Sequence, residues 1–441
     1  MAPTNTGNME LFRTSYKEVH TCPYPTVTTE TDRFVAGMMH QQLPLVTTDP
    51  NKLEEQAKSV LKPTAYNYVA GGAGERATMD ANRLAFRQWK MIPRMLRPTT
   101  TRDLTVKLFG ETYGLFFLLY ALEILMMLFT ENPVLMAPIG VQSIFHEDKE
   151  TGLAQVCSEI GVPFVLSTAS SSTIEEVAKA NGNGKRWYQL YWPQDEEITE
   201  SLLKRAKENG CKVLVVTLDT WALAWRPADL DGAYIPFMKG IGDATGFSDP
   251  VFRRKFKEKF NATPEEKVLE ASSEWVGDVF SGAAHSWEQI AHLKKHWDGP
   301  IVLKGIQHPE DAKLAVQHGV DGIVVSNHGG RQLDGAVGSL EMLPEIAEAV
   351  GDKLTIIFDS GIRGGVDIIK ALSLGAKAVF IGRPAIYGLA VAGKAGAKQV
   401  LQGILADLDQ SMGLSGIMNI EGCNRSMIRR VEYRGDLKSS N

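Results

Sequence analysis

From Pro133 onward, short apolar runs alternate with longer amphipathic segments. The runs have strand length and are rich in β-branched residues, whereas the segments between them repeat with helical spacing, as in Glu197–Glu208 and Pro309–His318. We predict eight strands at Val134–Pro138, Phe164–Ser167, Trp187–Tyr191, Val213–Asp219, Ile301–Lys304, Gly322–Ser326, Thr355–Asp359 and Ala378–Gly382. Eight consecutive βα units predict an α/β fold, a closed (β/α)8 TIM barrel.

The same pattern divides the chain into an N-terminal extension, residues 1–50, and a barrel domain, residues 51–441. Before the first strand, Asn51–Tyr68 reads as helical and Arg83–Met95 as extended. A charged, helix-capable excursion, residues 240–282, follows the fourth strand. We interpret it as an inserted, mobile, lid-like loop, with a solvated surface loop as the alternative.

Composition narrows the class of protein. The 441 residues carry a net charge of −5 with lysine and arginine scattered, which disfavours a nucleic-acid surface. Four cysteines, Cys22, Cys157, Cys211 and Cys423, lie far apart and predict buried thiols, with no zinc site, other metal site or disulfide framework. The segment 1–8 has no secretory pattern and the C-terminus is not of the SKL type, so we expect an intracellular, cytoplasmic protein.

Polar residues follow almost every predicted strand at its C-terminal end. They are Ser167, Tyr191, Asp219, Lys304, His328, Asp359 and Arg383. In a barrel these ends share one rim, where catalysis takes place. The run Ser326–Asp334 puts His328 and Arg331 three residues apart, a base beside a cation that suits an acidic substrate. In isolation, both could be solvated loop side chains.

The last two βα loops predict an anion site. Asp359–Arg363 and Gly382–Arg383 combine small residues, which let backbone N–H groups approach a ligand, with two guanidinium groups. Barrels commonly bind phosphate at this place. We therefore expect a phosphorylated cofactor or substrate.

Together these motifs resemble a known family. They are Ala137–Gly140, Gln189–Tyr191, Thr217–Asp219, Lys304–Gly305, Ser326–Asp334, Asp359–Arg363 and Gly382–Arg383. In this order, from Tyr66 to the C-terminal helix, they resemble the FMN-dependent 2-hydroxy acid oxidases and dehydrogenases. Trp225–Asp231 and Ser248–Phe252 are most similar to the lactate 2-monooxygenase members of that family.

The resemblance implies FMN as cofactor and a small, lactate-like L-2-hydroxy acid as substrate. The acid would be oxidised to its 2-oxo acid with oxygen as acceptor, with coupled decarboxylation if the monooxygenase likeness holds. The alternatives are a dehydrogenase that passes electrons to a quinone or a protein, and a catalytically impaired FMN-binding protein. The resemblance also implies a homo-oligomer, a tetramer or octamer.

It further implies residue roles. His328 would be the base, with Asp219 supporting the imidazolium, Arg226, Arg331 and Tyr68 on the substrate carboxylate, and Tyr191 near its hydroxyl. Residues that would contact FMN are Pro138, Ile139, Gly140, Ser167, Gln189, Thr217, Lys304, Ser326, Asp359, Ser360, Gly361, Ile362, Arg363, Gly382 and Arg383. Lys304, also counted as catalytic, would lie against the flavin ring. Without the family, Tyr68 could be a packed helix residue and Asp219 a helix N-cap ahead of Thr220.

One segment departs from the family pattern. Residues 114–131 are the most apolar stretch of the chain, where the family has a short turn. A membrane-spanning helix needs about 20 apolar residues, and this run is shorter and contains Glu123, so we predict no membrane span. It could be an interfacial helix, an oligomer contact or translated non-coding sequence. We favour the last, because its flanks join into a family-like segment.

Overall fold

A computed structural model describes residues 44–100, 102–109 and 132–431, together with the backbone of Phe129–Thr130. The chain begins with α1 (Leu53–Val60), α2 (Pro63–Ala70), α3 (Ala77–Gln88), β1 (Trp89–Met91), β2 (Val106–Lys107) and β3 (Phe129–Thr130). The helical prediction for Asn51–Tyr68 becomes two helices, because Leu61 is extended and Pro63 opens a new first turn. The extended prediction for Arg83–Met95 is wrong in its first half, since α3 continues to Gln88 and buries Phe86.

A closed parallel barrel follows, which confirms the predicted fold. Its strands are β4 (Val134–Met136), β5 (Phe164–Ser167), β6 (Arg186–Tyr191), β7 (Leu214–Thr217), β8 (Ile301–Ile306), β9 (Gly322–Val325), β10 (Thr355–Phe358) and β11 (Ala378–Ile381). β12 (Ile428–Arg430) pairs antiparallel with β1. Most predicted strands are one or two residues too long at the C-terminal end, where the ladder stops and the rim loops begin. Side by side in the register, Tyr191, Thr217 and Lys304 bring three predicted site residues to that rim.

The remaining helices, in chain order, are α4 (Lys149–Glu159), α5 (Ile174–Asn181), α6 (Glu196–Glu208), α7 (Pro227–Asp231), α8 (Ala244–Phe247), α9 (Pro250–Phe260), α10 (Val268–Val279), α11 (Ile290–His296), α12 (Pro309–Gln317), α13 (Ser339–Val350), α14 (Gly365–Ser373) and α15 (Arg383–Ser415), the last broken at Ala392 and Gly393. Short 3₁₀ helices span Gln142–Ile144, Pro236–Lys239, Trp287–Gln289, Ile420–Gly422 and Arg425–Met427. The β-strand core of buried aliphatic residues lies inside this helical layer.

The excursion 240–282 contains α8, α9 and α10. Phe252, Phe256 and Trp275 are buried in it, and a Cβ added at Gly246 would lie 2.3 Å from the Trp275 ring, so α8 packs directly on that indole. The excursion is therefore a packed helical layer in this structure, and its movement as a lid stays a prediction.

The apolar segment 114–131 lies outside the described residues, apart from the backbone of β3, which pairs with β2. In the described ranges, the structure has no helix that is both long and apolar enough to cross a membrane. Cys157, Cys211 and Cys423 are buried thiols, as the sequence predicts, and Cys22 lies outside the described residues.

Candidate active site

The loop after β9 holds His328 in an unusual backbone conformation. His328 has φ 56°, and Gly329 and Gly330 have φ 65° and 73°, so three consecutive residues are left-handed. This region costs a non-glycine residue about 1 kcal/mol. Two hydrogen bonds stabilise the turn: the His328 N–H donates to Ser326 Oγ at 3.1 Å and the Gly329 N–H to Ser360 Oγ at 2.9 Å.

The turn brings His328 to Asp219, which lies two residues after the end of β7. His328 Nδ1 lies 2.8 Å from Asp219 Oδ1, and Thr220 Oγ1 lies 3.0 Å from Nδ1 and donates to the same carboxylate oxygen at 2.9 Å. Gly305, with φ 103°, permits this approach, because an added Cβ would lie 2.8 Å from Asp219 Cβ. With its proton on Nδ1, the imidazole presents Nε2 as the base. The N-cap interpretation of Asp219 is wrong, because the next helix, α7, begins only at Pro227.

Charges around this pair fix its protonation. Lys304 Nζ lies 3.5 Å from His328 Nδ1, 3.8 Å from Asp219 Oδ2 and 3.7 Å from Asp359 Oδ2. Burial and Lys304 lower the pKa of His328 to about 4, against the opposite influence of Asp219. Burial opposes ionisation of Asp219, but Lys304 and His328 together hold its pKa well below its usual range. At neutral pH the imidazole is thus a neutral base beside an ionised carboxylate.

Two arginines, Arg226 and Arg331, lie on the same cavity wall as His328 and are called the clamp, because a guanidinium pair suits a carboxylate. The Arg331 guanidinium donates to the carbonyls of Tyr68 and Gly71 at 2.5 and 3.0 Å and lies 5.1 Å from the Tyr68 ring centre. Arg226 Nε donates to the Arg331 carbonyl at 2.8 Å. Burial and Arg331 lower the pKa of Arg226 to about 10. Both guanidinium groups are therefore held in place before a ligand arrives.

Tyr68 itself lies on α2, half-buried against the core, and also borders the cavity described next. The packed-helix interpretation and the substrate interpretation are therefore compatible for this side chain.

A cavity that is partly open to solvent joins these groups to the last two rim loops. Its wall includes the predicted residues Tyr68, Pro138, Ile139, Gly140, Tyr191, Arg226, Lys304, His328, Arg331, Asp359, Ser360, Gly361, Ile362, Arg363, Gly382 and Arg383. Five other predicted residues do not border it: Asp219 lies behind His328, and Ser167, Gln189, Thr217 and Ser326 are buried. A concave, largely apolar wall with a few convergent polar groups is typical of a small-molecule site.

The phosphate-type loops place Arg363 and Arg383 on this wall without an acidic partner. Within the described part of the chain, neither forms an ion pair, and Arg383 donates only to the neutral acceptors of Val69, Gly71, Gly329 and Met79. Burial lowers the pKa of Arg383 to about 9, with Arg331 and Arg363 adding to the effect. Two half-buried cations without a carboxylate are a site for an anion.

Comparison with known proteins identifies the family. The sequence profile of the FMN-dependent dehydrogenases matches residues 57–430. The FMN-dependent alpha-hydroxy acid dehydrogenase qulF of Penicillium citrinum is 56% identical over 403 residues, 91% of this chain and 96% of that protein. The chain belongs to the FMN-dependent dehydrogenase family.

Other members of this FMN-dependent family also match the chain over most of its length. The L-lactate oxidase of Lysinibacillus sphaericus is 38% identical over 370 residues, 84% of this chain and 89% of that protein. A crystal structure of mandelate oxidase matches with a TM-score of 0.72 at 34% identity and covers 87% of this chain and 98% of that chain. The resemblance and the FMN cofactor are thereby confirmed, and the chain is an FMN-dependent 2-hydroxy acid oxidoreductase.

The geometry of the cavity fits FMN. Arg363 and Arg383 would supply the positive charge that its phosphate needs, and Lys304 would add a buried ammonium group on the same wall. Behind the wall, the Gln189 side chain accepts from Ser167 Oγ at 2.9 Å, while its buried Nε2 has no hydrogen-bond partner. An orphaned amide donor is expected to find an acceptor, and a flavin carbonyl is one.

Sequence reasoning missed several residues of the site. Thr220 contacts both members of the His328–Asp219 pair. Gln332 accepts from Arg226 at 2.7 Å and donates to the carbonyls of Asp219 and Ala222 at 2.9 and 3.0 Å, which links the clamp to the base. Gln332 stands inside the Ser326–Asp334 motif, so its position was a usable signal. Phe145, Leu223, Phe237 and Phe280 complete the apolar wall, and no local pattern distinguishes them.

Proposed function

We propose that this enzyme oxidises an L-2-hydroxy acid with an apolar side chain to the corresponding 2-oxo acid, with molecular oxygen as the final acceptor. The observation that carries the proposal is the 2.8 Å contact between Asp219 and a neutral His328 in the cavity that also holds the clamp of Arg226 and Arg331. A base, an acid-binding pair and a flavin-sized site in one cavity are what the reaction requires.

Each residue of the site has a separate role in the proposed reaction. Arg331 and Arg226 bind the carboxylate, and Tyr191 contacts the hydroxyl. His328 Nε2 takes a proton from the substrate, and the ionised Asp219 stabilises the imidazolium that forms. The bound FMN would supply the acceptor for the two electrons and the second proton that the alcohol loses when it becomes a ketone. Lys304, 3.7 Å from Asp359 and 3.8 Å from Asp219, places an ammonium group at the cavity wall, which favours added negative charge there.

The apolar wall supports the substrate class. Phe280 lies 5.0 Å from the Tyr191 ring centre and 5.6 Å from the Phe237 ring centre, and Leu223 borders the same cavity. Aromatic faces around the substrate position favour an apolar side chain over a polar or charged one. Lactate is the smallest acid that meets this requirement, and larger aliphatic and aromatic acids extend the series.

The oxygen acceptor and the fate of the product form the second part of the proposal. Direct release would give the 2-oxo acid and hydrogen peroxide from one hydroxy acid and one oxygen. If the enclosing wall of Phe237 and Phe280 keeps these two products together, they react to the acid shortened by one carbon, carbon dioxide and water. The aromatic wall supports this decarboxylating reaction as the alternative to direct release.

The test is a two-step measurement on the yellow holoenzyme. Without oxygen, L-lactate, a longer aliphatic acid and an aromatic 2-hydroxy acid should bleach the flavin, and D-isomers should not. Oxygen should then restore the colour at a rate that supports turnover, and product analysis separates the 2-oxo acid from the shortened acid. An unbleached flavin across the series contradicts the substrate proposal, whereas bleaching with slow reoxidation indicates a quinone or protein acceptor.

A further inference from the structure

Outside the active site, two histidines and a glutamate converge on the outer helical layer. Glu200 lies on α6, and His292 and His296 lie on α11 at i and i+4, so both imidazoles share one helix face. Glu200 Oε1 is 3.8 Å from His292 Nε2 and 3.3 Å from His296 Nε2, and the three ligand atoms lie within 4.8 Å of one another. None of the three borders the FMN cavity.

The spacing fits a tetrahedral metal ion. Zinc binds imidazole nitrogen and carboxylate oxygen at about 2.0–2.2 Å, so neighbouring ligand atoms of a tetrahedral site lie roughly 3.3–3.5 Å apart. Of the three pairs, Glu200 with His296, at 3.3 Å, has this separation and Glu200 with His292, at 3.8 Å, needs a shift of a few tenths of an ångström. The two imidazole nitrogens lie within 4.8 Å of each other and would close to the same separation by small side-chain rotations. We propose that Glu200, His292 and His296 form a Zn²⁺ site that joins α6 to α11, with a fourth position left to water.

The electrostatic surroundings support this assignment. The Nε2 atoms of His292 and His296 are buried and have no hydrogen-bond partner, although both rings are partly exposed at their edges. In the described part of the chain, Glu200 forms ion pairs with these two imidazoles and with no lysine or arginine. The cations nearby are engaged elsewhere, since Lys204 pairs with Glu208 and Lys294 donates to two carbonyls. Two imidazole lone pairs facing a carboxylate oxygen are a donor set for zinc.

Cysteine spacing carries no sign of this site, because its donors are imidazoles and a carboxylate. Its place in the fold suggests a structural role. α6 follows β6, whereas α11 lies where the excursion 240–282 rejoins the barrel ahead of β8, the strand that carries Lys304. A metal ion bridging the two helices would fix that junction to the outer layer without touching the chemistry.

The test uses tag-free holoenzyme, ZnCl₂ and equilibrium dialysis with quantified metal, together with thermal melts. Wild type should bind one Zn²⁺ per chain, and Zn²⁺ at 100 times its Kd should raise the Tm by about 3 °C for a chain of this size. His292→Asn/His296→Asn and the milder Glu200→Gln should lose both effects while keeping the flavin spectrum and hydroxy acid oxidation. Glu208→Gln, the same change on the same helix, should keep both.

Two results would overturn the proposal. One is a wild-type protein that binds no Zn²⁺ beyond the double variant. The other is undiminished binding in Glu200→Gln and in the double variant alike, which would place the metal elsewhere, for example on His328. MgCl₂ serves as the comparison ion and should not raise the Tm, because Mg²⁺ prefers oxygen ligands.

Discussion

Replacing Asp219 by asparagine tests the central electrostatic argument. Asparagine has nearly the same shape as aspartate and keeps a side-chain oxygen that can accept from His328 Nδ1, which lies 2.8 Å from the Asp219 carboxylate in the wild type. The change therefore removes mainly a charge. The imidazolium that forms when His328 takes a proton then loses its counter-charge. At 2.8 Å this attraction amounts to about 1.5 kcal/mol with the dielectric constant of water and about 6 kcal/mol with an effective constant of 20.

The site lies between these limits, because Asp219 and His328 are 15% and 17% exposed in their side chains. A loss of about 3 kcal/mol corresponds to a reduction of roughly 100- to 200-fold in the rate of the proton-transfer step. If the new amide turns its NH₂ group toward Nδ1, it stabilises the wrong tautomer and the loss grows. We therefore expect at least a 100-fold decrease.

The assay is anaerobic stopped-flow bleaching of the flavin by a good substrate. The variant should reduce its flavin slowly at saturating substrate, while the substrate concentration for half-maximal rate changes little, because Arg226 and Arg331 are untouched. Asp298→Asn removes an exposed carboxylate that, among the described residues, forms an ion pair only with Lys207, and this variant should reduce its flavin at the wild-type rate. A rate within threefold of wild type in Asp219→Asn would refute the role of Asp219 as the counter-charge.

Three further predictions follow from single contacts. Arg226→Lys loses the planar fork that donates to Arg331 and Gln332, so steady-state kinetics should show a KM raised about tenfold or more. Burial raises the pKa of Asp243 to about 7. The free energy of unfolding is therefore highest below about pH 4 and falls by roughly 4 kcal/mol as the pH rises to about 7. Thermal melts should show the Tm of Asp243→Asn rising relative to that of wild type between pH 5 and pH 8. The absence of such a gain at pH 8 would contradict the argument. Gly140→Ala puts a Cβ 2.1 Å from the Ala169 carbonyl oxygen, which should lower the free energy of unfolding by about 1–3 kcal/mol. The variant should show a lower Tm and retain FMN less well in dialysis. Gly403→Ala is the control and should show neither effect, because its added Cβ meets nothing within 4 Å.

The barrel could be predicted because the sequence pattern that specifies each strand and helix lies within that element. Each strand is a short apolar run between amphipathic helices, and parallel strands place all their C-terminal ends on one rim, so the position of Lys304 or His328 along the chain already gives its place in the fold. The exception is Arg83–Gln88, where polar residues on one face of α3 hide a helix whose buried side includes Ala85 and Phe86.

The part of the site that escaped prediction depends on tertiary contacts. Phe237 and Phe280 flank the helices of the excursion and reach the cavity only because those helices pack against the barrel. No period of 2 or 3.6 residues marks such a contact. Thr220 is missed for another reason: a threonine after an aspartate reads as a turn or a cap, and only the approach of His328 from another loop gives its hydroxyl a role.

The charge balance of the cavity links the two ligands. Lys304, Arg226, Arg331, Arg363 and Arg383 border it, whereas the acidic groups beside them are Asp359, Asp219 behind His328, and Asp229, which lies 4.0 Å from Arg226, so with a neutral imidazole the cations outnumber the carboxylates. A phosphate monoester contributes close to −2 at neutral pH, and the carboxylate of a 2-hydroxy acid contributes −1. The cofactor and the substrate together therefore offset this excess of positive charge, whereas the amide or ester of the same acid would leave part of it without a compensating anion. Selection for an acid over its neutral derivatives follows from this balance as much as from the shape of the clamp.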